Sequence, residues 1–511
     1  MRPSNRSTGL ALLSVALAGC ATSALDMAPE RPDRPWIPAT AASGEITAGA
    51  KAPAARPAEA DYTLPLNYSL ANVPPAPEVD PDRAYSLADL IDLAQSSNPL
   101  TRTAWNTARE AALAAGIARS AYLPSLTATA IGGYQSNRDN SSVLGYNVND
   151  DTASGVIPAL SLQWLLFDFG ERRSVVDAAK QRSVISNIGF TAAHQQVIYA
   201  VSLAYYAEAA ARARAETAAR SLSNARQIQV AAEERYAHGI GTVVEVAQAR
   251  QASAHAQLLQ VQAEGAAHDA YLALISAMGI SPLTRLKVAD VHEHRLPSAD
   301  AESIEHIVAD ALGRRPDVLA AYAAQRASQD DMRAARAEFL PRLFLSGTAD
   351  YNSGHLNITA IPPIGQQSPG AFNLSGSRFG GSVFAGITIP VYDGGRRAAV
   401  LAQARAKADS ASAELVHTQE EAVRQIVAAQ NGLETSLSAY GASAALRTAA
   451  EVTFDAALAA YRHDVGSITD ATAAQSQLLQ ATNASSDAYS AALSSAATLA
   501  LSVGALGSAP P

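Results

Sequence analysis

Groups able to do chemistry are few and scattered along this chain. Its 511 residues include ten histidines and a single cysteine, so no disulfide can form within it. The tightest histidine cluster is His292-Glu293-His294. Two imidazoles and a carboxylate are zinc ligands when a third element converges on them, but this trio lies just before Pro297 in a mixed-charge stretch that reads as a solvated loop. Gly239-Ile240-Gly241 lacks the preceding strand and the third glycine of a dinucleotide site. No serine or aspartate stands in a pattern that would mark a nucleophile and its base. The reading is of a non-enzyme with no catalytic residue, metal or cofactor. The suggestive polar residues gather instead at two short turns, Arg235-Tyr236-Ala237-His238-Gly239-Ile240-Gly241-Thr242 and Tyr461-Arg462-His463-Asp464-Val465-Gly466-Ser467. Glycine permits each reversal, Thr242 and Ser467 can cap the returning helices, and Glu245 and Asp470 follow where a helix dipole favours a carboxylate.

The elements that hold those turns are very long. Residues 171–237 and 395–463 contain no proline and few glycines, and each would span about 100 Å as one helix. Each returns as a shorter helix, 243–279 and 468–503. Alanine, the best helix former, dominates the composition, and a small-residue seam such as Ala200, Leu203, Ala204, Ala207 and Ala210 suits close coiled-coil packing. Upstream of each long segment lies a helical region broken at Asn98-Pro99 or Arg315-Pro316, the first starting at a cap-like Ser86 and Asp89. The period between them is two. Leu126, Ala128, Ala130, Gly132 and Tyr134 alternate with Ser125, Thr127 and Thr129, and Val156, Leu160, Leu162, Trp164 and Leu166 with Ser161 and Gln163. In the second half Leu343, Leu345, Ala349 and Tyr351 alternate with Ser346, Thr348 and Asp350, and Val383, Ala385, Ile387, Ile389 and Val391 with Ser382 and Thr388. Strands of about ten residues cross an outer membrane when tilted, with Tyr134, Trp164, Tyr351 and Tyr392 as interface anchors. Four strands cannot close a barrel, and open edges are untenable in lipid, so membrane-spanning strands require an oligomer; three chains would supply twelve strands.

The two halves repeat each other. Tyr122-Leu123-Pro124-Ser125-Leu126 returns as Phe339-Leu340-Pro341-Arg342-Leu343, and Phe167-Asp168-Phe169-Gly170-Glu171-Arg172-Arg173 as Tyr392-Asp393-Gly394-Gly395-Arg396-Arg397. With 17% charged residues, 6% aromatics and a net charge of −9, the chain carries no basic footprint for nucleic acid. Arg2 and Arg6, the apolar stretch from Gly9 to Ala18 and Leu17-Ala18-Gly19-Cys20 form a signal peptide too short to span a bilayer. Leu-Ala-Gly-Cys resembles the lipobox of bacterial lipoproteins, which implies lipidation of Cys20 as the first mature residue, and Ala21 after it implies export to the outer membrane. The boundaries expected are a signal peptide at 1–19, a lipid-anchored Pro/Ala-rich linker at 20–83, a first repeat at 84–280, an inter-repeat segment at 281–300, a second repeat at 301–507 and a tail at 508–511.

Over roughly residues 84–507 the chain resembles the TolC-like outer-membrane efflux proteins. The resemblance rests on Asn98-Pro99, Tyr122-Leu-Pro, Phe167-Asp-x-Gly, Arg235-Tyr-x-x-Gly239-x-x-Thr242-x-x-Glu245-Val and their second-half partners, in order and in duplicate. It implies an α+β membrane protein, a homotrimer whose twelve-stranded β-barrel, four strands per chain, continues into a long α-helical coiled-coil barrel in the periplasm. It implies an outer-membrane duct conducting substrates passively from a periplasmic adaptor and an inner-membrane pump to the exterior, with residues 281–300 in an equatorial belt. Arg235, Gly239, Thr242, Arg462, Gly466 and Ser467 then lie at the adaptor-contact tips, and Glu245, Tyr461 and Asp470 at a periplasmic gate, Glu245 bonding the tyrosine and Asp470 facing the lumen. The chain departs from the family's pattern where Gly466 replaces a basic residue that forms a second closing link in some members and Ala473 replaces a second luminal acid. The rival readings are a structural periplasmic coiled-coil lipoprotein without a pore and a lipid-anchored hydrolase.

Overall fold

The computed structural model describes residues 77–137, 151–291, 304–351 and 379–507, with the short pieces 28–29, 32, 36, 38–47, 62–71, 296, 358–359 and 373–374. Cys20, the signal peptide, His292-Glu293-His294 and the tail fall outside them. The chain divides into two units, 1–78 and 79–511. In the first, Ala39–Thr40 pairs antiparallel with Ile46–Thr47 and a 3-10 turn covers Tyr68–Leu70, so the proline-rich stretch carries small local structures of its own.

In the second unit, α1 (Leu87–Ser97) and α2 (Pro99–Ser120) meet at Asn98, whose side chain accepts from Leu100 N at 2.9 Å. Proline at the first helical position needs no amide partner, so the break sharpens the start of α2. Ser86 and Asp89 close a capping box on α1, which buries Leu87, Leu90, Ile91 and Ala94 along one stripe. Strands β1 (Ser125–Asn137) and β2 (Asp151–Phe167) lead into α3 (Glu171–Ala237), which turns back as α4 (Val243–Met278). After α5 (Ile304–Leu312) and α6 (Pro316–Ala337) the second half repeats the order with β3 (Arg342–Tyr351), β4 (Phe379–Thr388), α7 (Arg396–Arg462) and α8 (Ile468–Ser502). No described helix is long and apolar enough to cross a membrane.

The four strands form one antiparallel sheet in the order β4-β3-β2-β1. Its register aligns Thr127, Ser161, Thr348 and Ser382 in one row and Leu126, Leu162, Gly347 and Val383 in the next. Side chains alternate between faces, so one face carries hydroxyls, with Thr348 and Ser382 2.8 Å apart, while the other is apolar and exposed at Leu126, Leu160, Val383 and Ile387. Two expectations need correction. Ile389 and Val391 do not extend the fourth strand, which ends at Thr388 before Pro390, since proline cannot donate to the ladder. And β2 runs for 17 residues, with a bulge between Leu165 and Phe167, rather than about ten.

The duplicated motifs meet where sheet becomes helix. Asp168 accepts from Gly170 N, Arg172 N and Arg172 Nε, the last at 2.8 Å. The Arg172 guanidinium also donates to Ala121 O at 3.0 Å and lies 5.1 Å from the Tyr122 ring centre. In the other half Asp393 accepts from Gly395 N and Arg397 N, and Arg397 stands 5.8 Å from the Phe339 ring. The aromatic-Leu-Pro motif and the Asp-x-Gly-x-Arg motif are thus two sides of one joint that fixes the angle between strand and long helix.

Within one chain the expected helical seam is only partly covered. Of Ala200, Leu203, Ala204, Ala207 and Ala210, only Ala210 is buried in a single chain. The buried stripe on α3 instead runs through Ala211, Ala218, Ala225 and Ala232, a seven-residue repeat that keeps one face toward its partner in a left-handed coiled coil. Midway along the hairpins, Ala84–Tyr85 and Lys287–Val288 pair in parallel, and α1, α3, α4 and α8 pack a core around Leu90, Ile198, Tyr205, Leu274 and Ile275.

Candidate functional site at the hairpin tips

A second core closes the far end of the long helices. Ile228 and Ala232 of α3, Val246 and Ala249 of α4, Phe454, Leu458 and Tyr461 of α7, and Ile468 and Ala471 of α8 pack together. It joins the tips of both hairpins within one chain. Tyr461 is fully buried there, and its hydroxyl makes no hydrogen bond among the described residues. Burial first, and then the Glu245 charge, raise its pKa above the ordinary phenol value, so the hydroxyl stays a proton donor at any physiological pH.

Both candidate gate carboxylates are engaged at the starts of their own helices. Glu245 Oε2 accepts from Thr242 N at 2.8 Å while Thr242 Oγ1 accepts from Glu245 N at 3.2 Å. Asp470 Oδ2 accepts from Ser467 Oγ at 2.7 Å while Ser467 Oγ accepts from Asp470 N at 3.1 Å. Each is a capping box. The Glu245–Tyr461 hydrogen bond that the family resemblance implies is not made in the single chain, because the carboxylate is turned toward its own N-cap.

Arg235 joins the two tips. Its Nη1 donates to the Tyr461 carbonyl at 3.1 Å, its guanidinium lies 4.9 Å from the Tyr461 ring centre, and it forms an ion pair with Asp464. Gly239 sits in the left-handed region at φ 77°, exposed at the end of its turn. Arg462 is exposed and donates to Gln227 Oε1 of α3 at 3.2 Å. A Cβ at Gly466 would stand 3.0 Å from Ala460 Cβ. The turn therefore folds tightly onto α7 there. A cleft of about 830 Å³ opens beside the tips, lined by Arg226, Gln227, Glu234, Arg235, His238 and Arg462. Among the described residues no group of three metal-ligating side chains converges.

The profile described as "Outer membrane efflux protein" matches residues 90–280 and 307–505 of the chain. The chain belongs to the outer membrane efflux protein family. Its relatives include protein CyaE of Bordetella pertussis, 29% identical over 65% of this chain and 65% of CyaE. The match to CyaE thus spans just under two thirds of that relative's length. Outer membrane protein OprJ of Pseudomonas aeruginosa is 28% identical over 68% of this chain and 69% of OprJ. The outer membrane protein VceC of Vibrio cholerae shares the fold at a TM-score of 0.69, with 22% identity, 82% of this chain covered and 96% of VceC. Members of the family are outer-membrane channels rather than enzymes.

Within this family frame the structure buries Tyr461 in the tip core, sets Arg235 and Glu245 half-buried at the same end, and leaves Gly239, Thr242, Arg462, Ser467 and Asp470 on the exposed rim. Sequence reading missed Asp464 and Gln227. Gln227 carried no signal. Asp464 carried one, a non-glycine residue at the turn position where the first hairpin has Gly239, and it adopts φ 64°.

Proposed function

We propose that the chain is the outer-membrane exit duct of a tripartite efflux or secretion system, passively conducting substrates received through a periplasmic adaptor from an inner-membrane pump. The observation that carries this reading is the sheet, with hydroxyls on one face, exposed apolar side chains on the other, and outer edges on β1 and β4 that have no strand partner among the described residues. Such a sheet is stable in lipid only when its edges close. Three copies turn twelve strands into a barrel with an apolar exterior and a hydroxyl-lined interior, and the paired hairpins continue it into the periplasm as a helical barrel. The family and the fold it shares with VceC support this assembly.

In this reading Cys20 carries the lipid anchor. Glu245, Tyr461 and Asp470 form the periplasmic gate, and Arg235, Gly239, Thr242, Arg462, Gly466 and Ser467 meet the adaptor. Asp470 is exposed at the start of α8, so three copies around an axis would make an acidic ring that attracts cations. Single-particle imaging of the full-length protein in mild detergent tests the assembly. The expected particle is a threefold hollow cylinder with about 100 Å of helix and about 30 Å of barrel. A monomer or a solid rod would favour the pore-less lipoprotein.

A further inference from the structure

The two tip turns align residue for residue. Tyr236 corresponds to Tyr461, His238 to His463, Gly241 to Gly466, Thr242 to Ser467 and Glu245 to Asp470. The backbones agree: Ile240 N donates to Arg235 O at 3.1 Å, and Val465 N donates to Ala460 O at 3.0 Å. Against that agreement, two of the departures that change charge are complementary to each other. Arg235 of the first turn corresponds to Ala460 of the second, and Gly239 of the first corresponds to Asp464 of the second. These two positions form an ion pair across the hairpins, whereas a third departure, Ala237 against Arg462, places a charge that donates to the neutral Gln227. Arg235 reaches from α3 to the Asp464 carboxylate, with its side chain only 15% exposed and resting on the Tyr461 ring. The reciprocal pair cannot exist, since Ala460 and Gly239 bear no charge.

Asp464 holds its carboxylate there from the left-handed region, at φ 64°, which an L-residue enters at a cost. The equivalent Gly239 adopts the same conformation without that cost. A turn that needed only to reverse the chain would do better with glycine at 464, so the carboxylate has another use. We propose that Arg235 and Asp464 form an intrachain latch that ties the tip of the α3–α4 hairpin to the tip of the α7–α8 hairpin and holds the periplasmic end closed, a role Gly466 has no side chain to fill. This inference rests on the reading of the tips as a gate. Arg235 also positions Tyr461, through its carbonyl and its ring, so release of the ion pair loosens the residue that plugs the tip core.

The test is current through the full-length protein in planar bilayers. Asp464→Asn keeps a residue tolerant of left-handed backbone and removes only the charge. It and Arg235→Gln are each expected to raise mean current about threefold or more at low salt. Because Asp464 is 53% exposed, salt screens the pair; wild-type current, corrected for bulk conductivity, should climb with ionic strength, while that of Asp464→Asn should not. In the Arg235→Cys/Asp464→Cys double variant, oxidation should hold current low and reductant should raise it. Wild-type-like current and salt response in both single variants would overturn the latch. If Glu245 and Tyr461 variants still raise current in that case, the gate reading survives; if they too are silent, it falls with the latch. A rise in Arg235→Gln alone would also overturn the pairing, since Asp464 would then not be the partner.

Discussion

At the scale of single residues, Glu208 shows how burial sets a protonation state. It lies on α3, 6% exposed, with Oε2 unpaired among the described residues. Its natural partner Arg212, one turn on, is committed elsewhere. Arg212 donates to Val288 O at 3.2 Å and Ala289 O at 3.4 Å and stands 3.6 Å from Asp290. Burial therefore raises the Glu208 pKa, opposed by Arg212 and reinforced by Asp290. Tyr205 beside it is pushed up to about 12 by burial and stays a donor to Ala289 O. The sign follows from proton counting. Between the ordinary carboxyl pKa and the raised one, the folded chain binds a proton that the unfolded chain has lost, so stability falls as pH rises through that window. Glu208→Gln removes the slope. Thermal midpoints measured from acid to neutral pH should show the variant gaining on wild type as pH rises, by about 1 kcal/mol at neutrality. Parallel curves would show that the carboxyl finds a partner in the assembled protein.

At the scale of elements, what the sequence made legible was governed by local chemistry. Proline breaks and glycine turns placed the long helices closely, because a helix ends where its backbone hydrogen bonds cannot continue. The alternation from Leu126 to Tyr134 placed the first strand's faces for the same local reason. Ile389 and Val391 kept the alternating pattern but lie past the strand, since pairing with β3 stops at Arg342–Thr388 and a strand's end depends on its partner. The tip ion pair was hidden because Arg235 and Asp464 come from different repeats. Alanine periodicity does not say which face meets which partner: within one chain α3 covers Ala211, Ala218, Ala225 and Ala232 fully and Ala200, Leu203 and Ala204 only in part.

Glu245 stood out for its position after Thr242, which is both a gate pattern and a capping box, and the single chain shows the box. The two roles separate by substitution. Glu245→Gln preserves the box and removes the charge beside Tyr461. Thr242→Ala breaks the box at a cost of about 1 kcal/mol and leaves the charge. Tyr461→Phe keeps the packing and loses only a hydroxyl that has no hydrogen bond among the described residues. If the acid and the phenol close the duct, Glu245→Gln and Tyr461→Phe raise bilayer conductance at unchanged thermal stability, and Thr242→Ala lowers stability without raising conductance. Unchanged conductance in both Glu245→Gln and Tyr461→Phe sinks the gate assignment.

At the scale of the whole molecule, two attachments to the membrane are proposed, and they differ in strength. A lipidated Cys20 would hold the chain by acyl chains, each buried CH₂ contributing about 0.8 kcal/mol. The sheet would hold it by an apolar face around a closed barrel whose every backbone group is paired. The sheet's apolar row, from exposed Leu126 across half-buried Leu162 to exposed Val383, has no use in a protein tethered only by its N-terminus, and open edges beside that row would drive aggregation. The two designs therefore diverge when the tether is cut. Cys20→Ser, exported through an unlipidated signal peptide, should remain in the outer-membrane fraction after washing with high salt and carbonate, because the barrel alone retains it. A pore-less lipoprotein would lose its only anchor, and the body would appear in the soluble periplasm. Release of that body as a folded, helical, non-aggregating monomer would leave the apolar face unexplained and would overturn the duct.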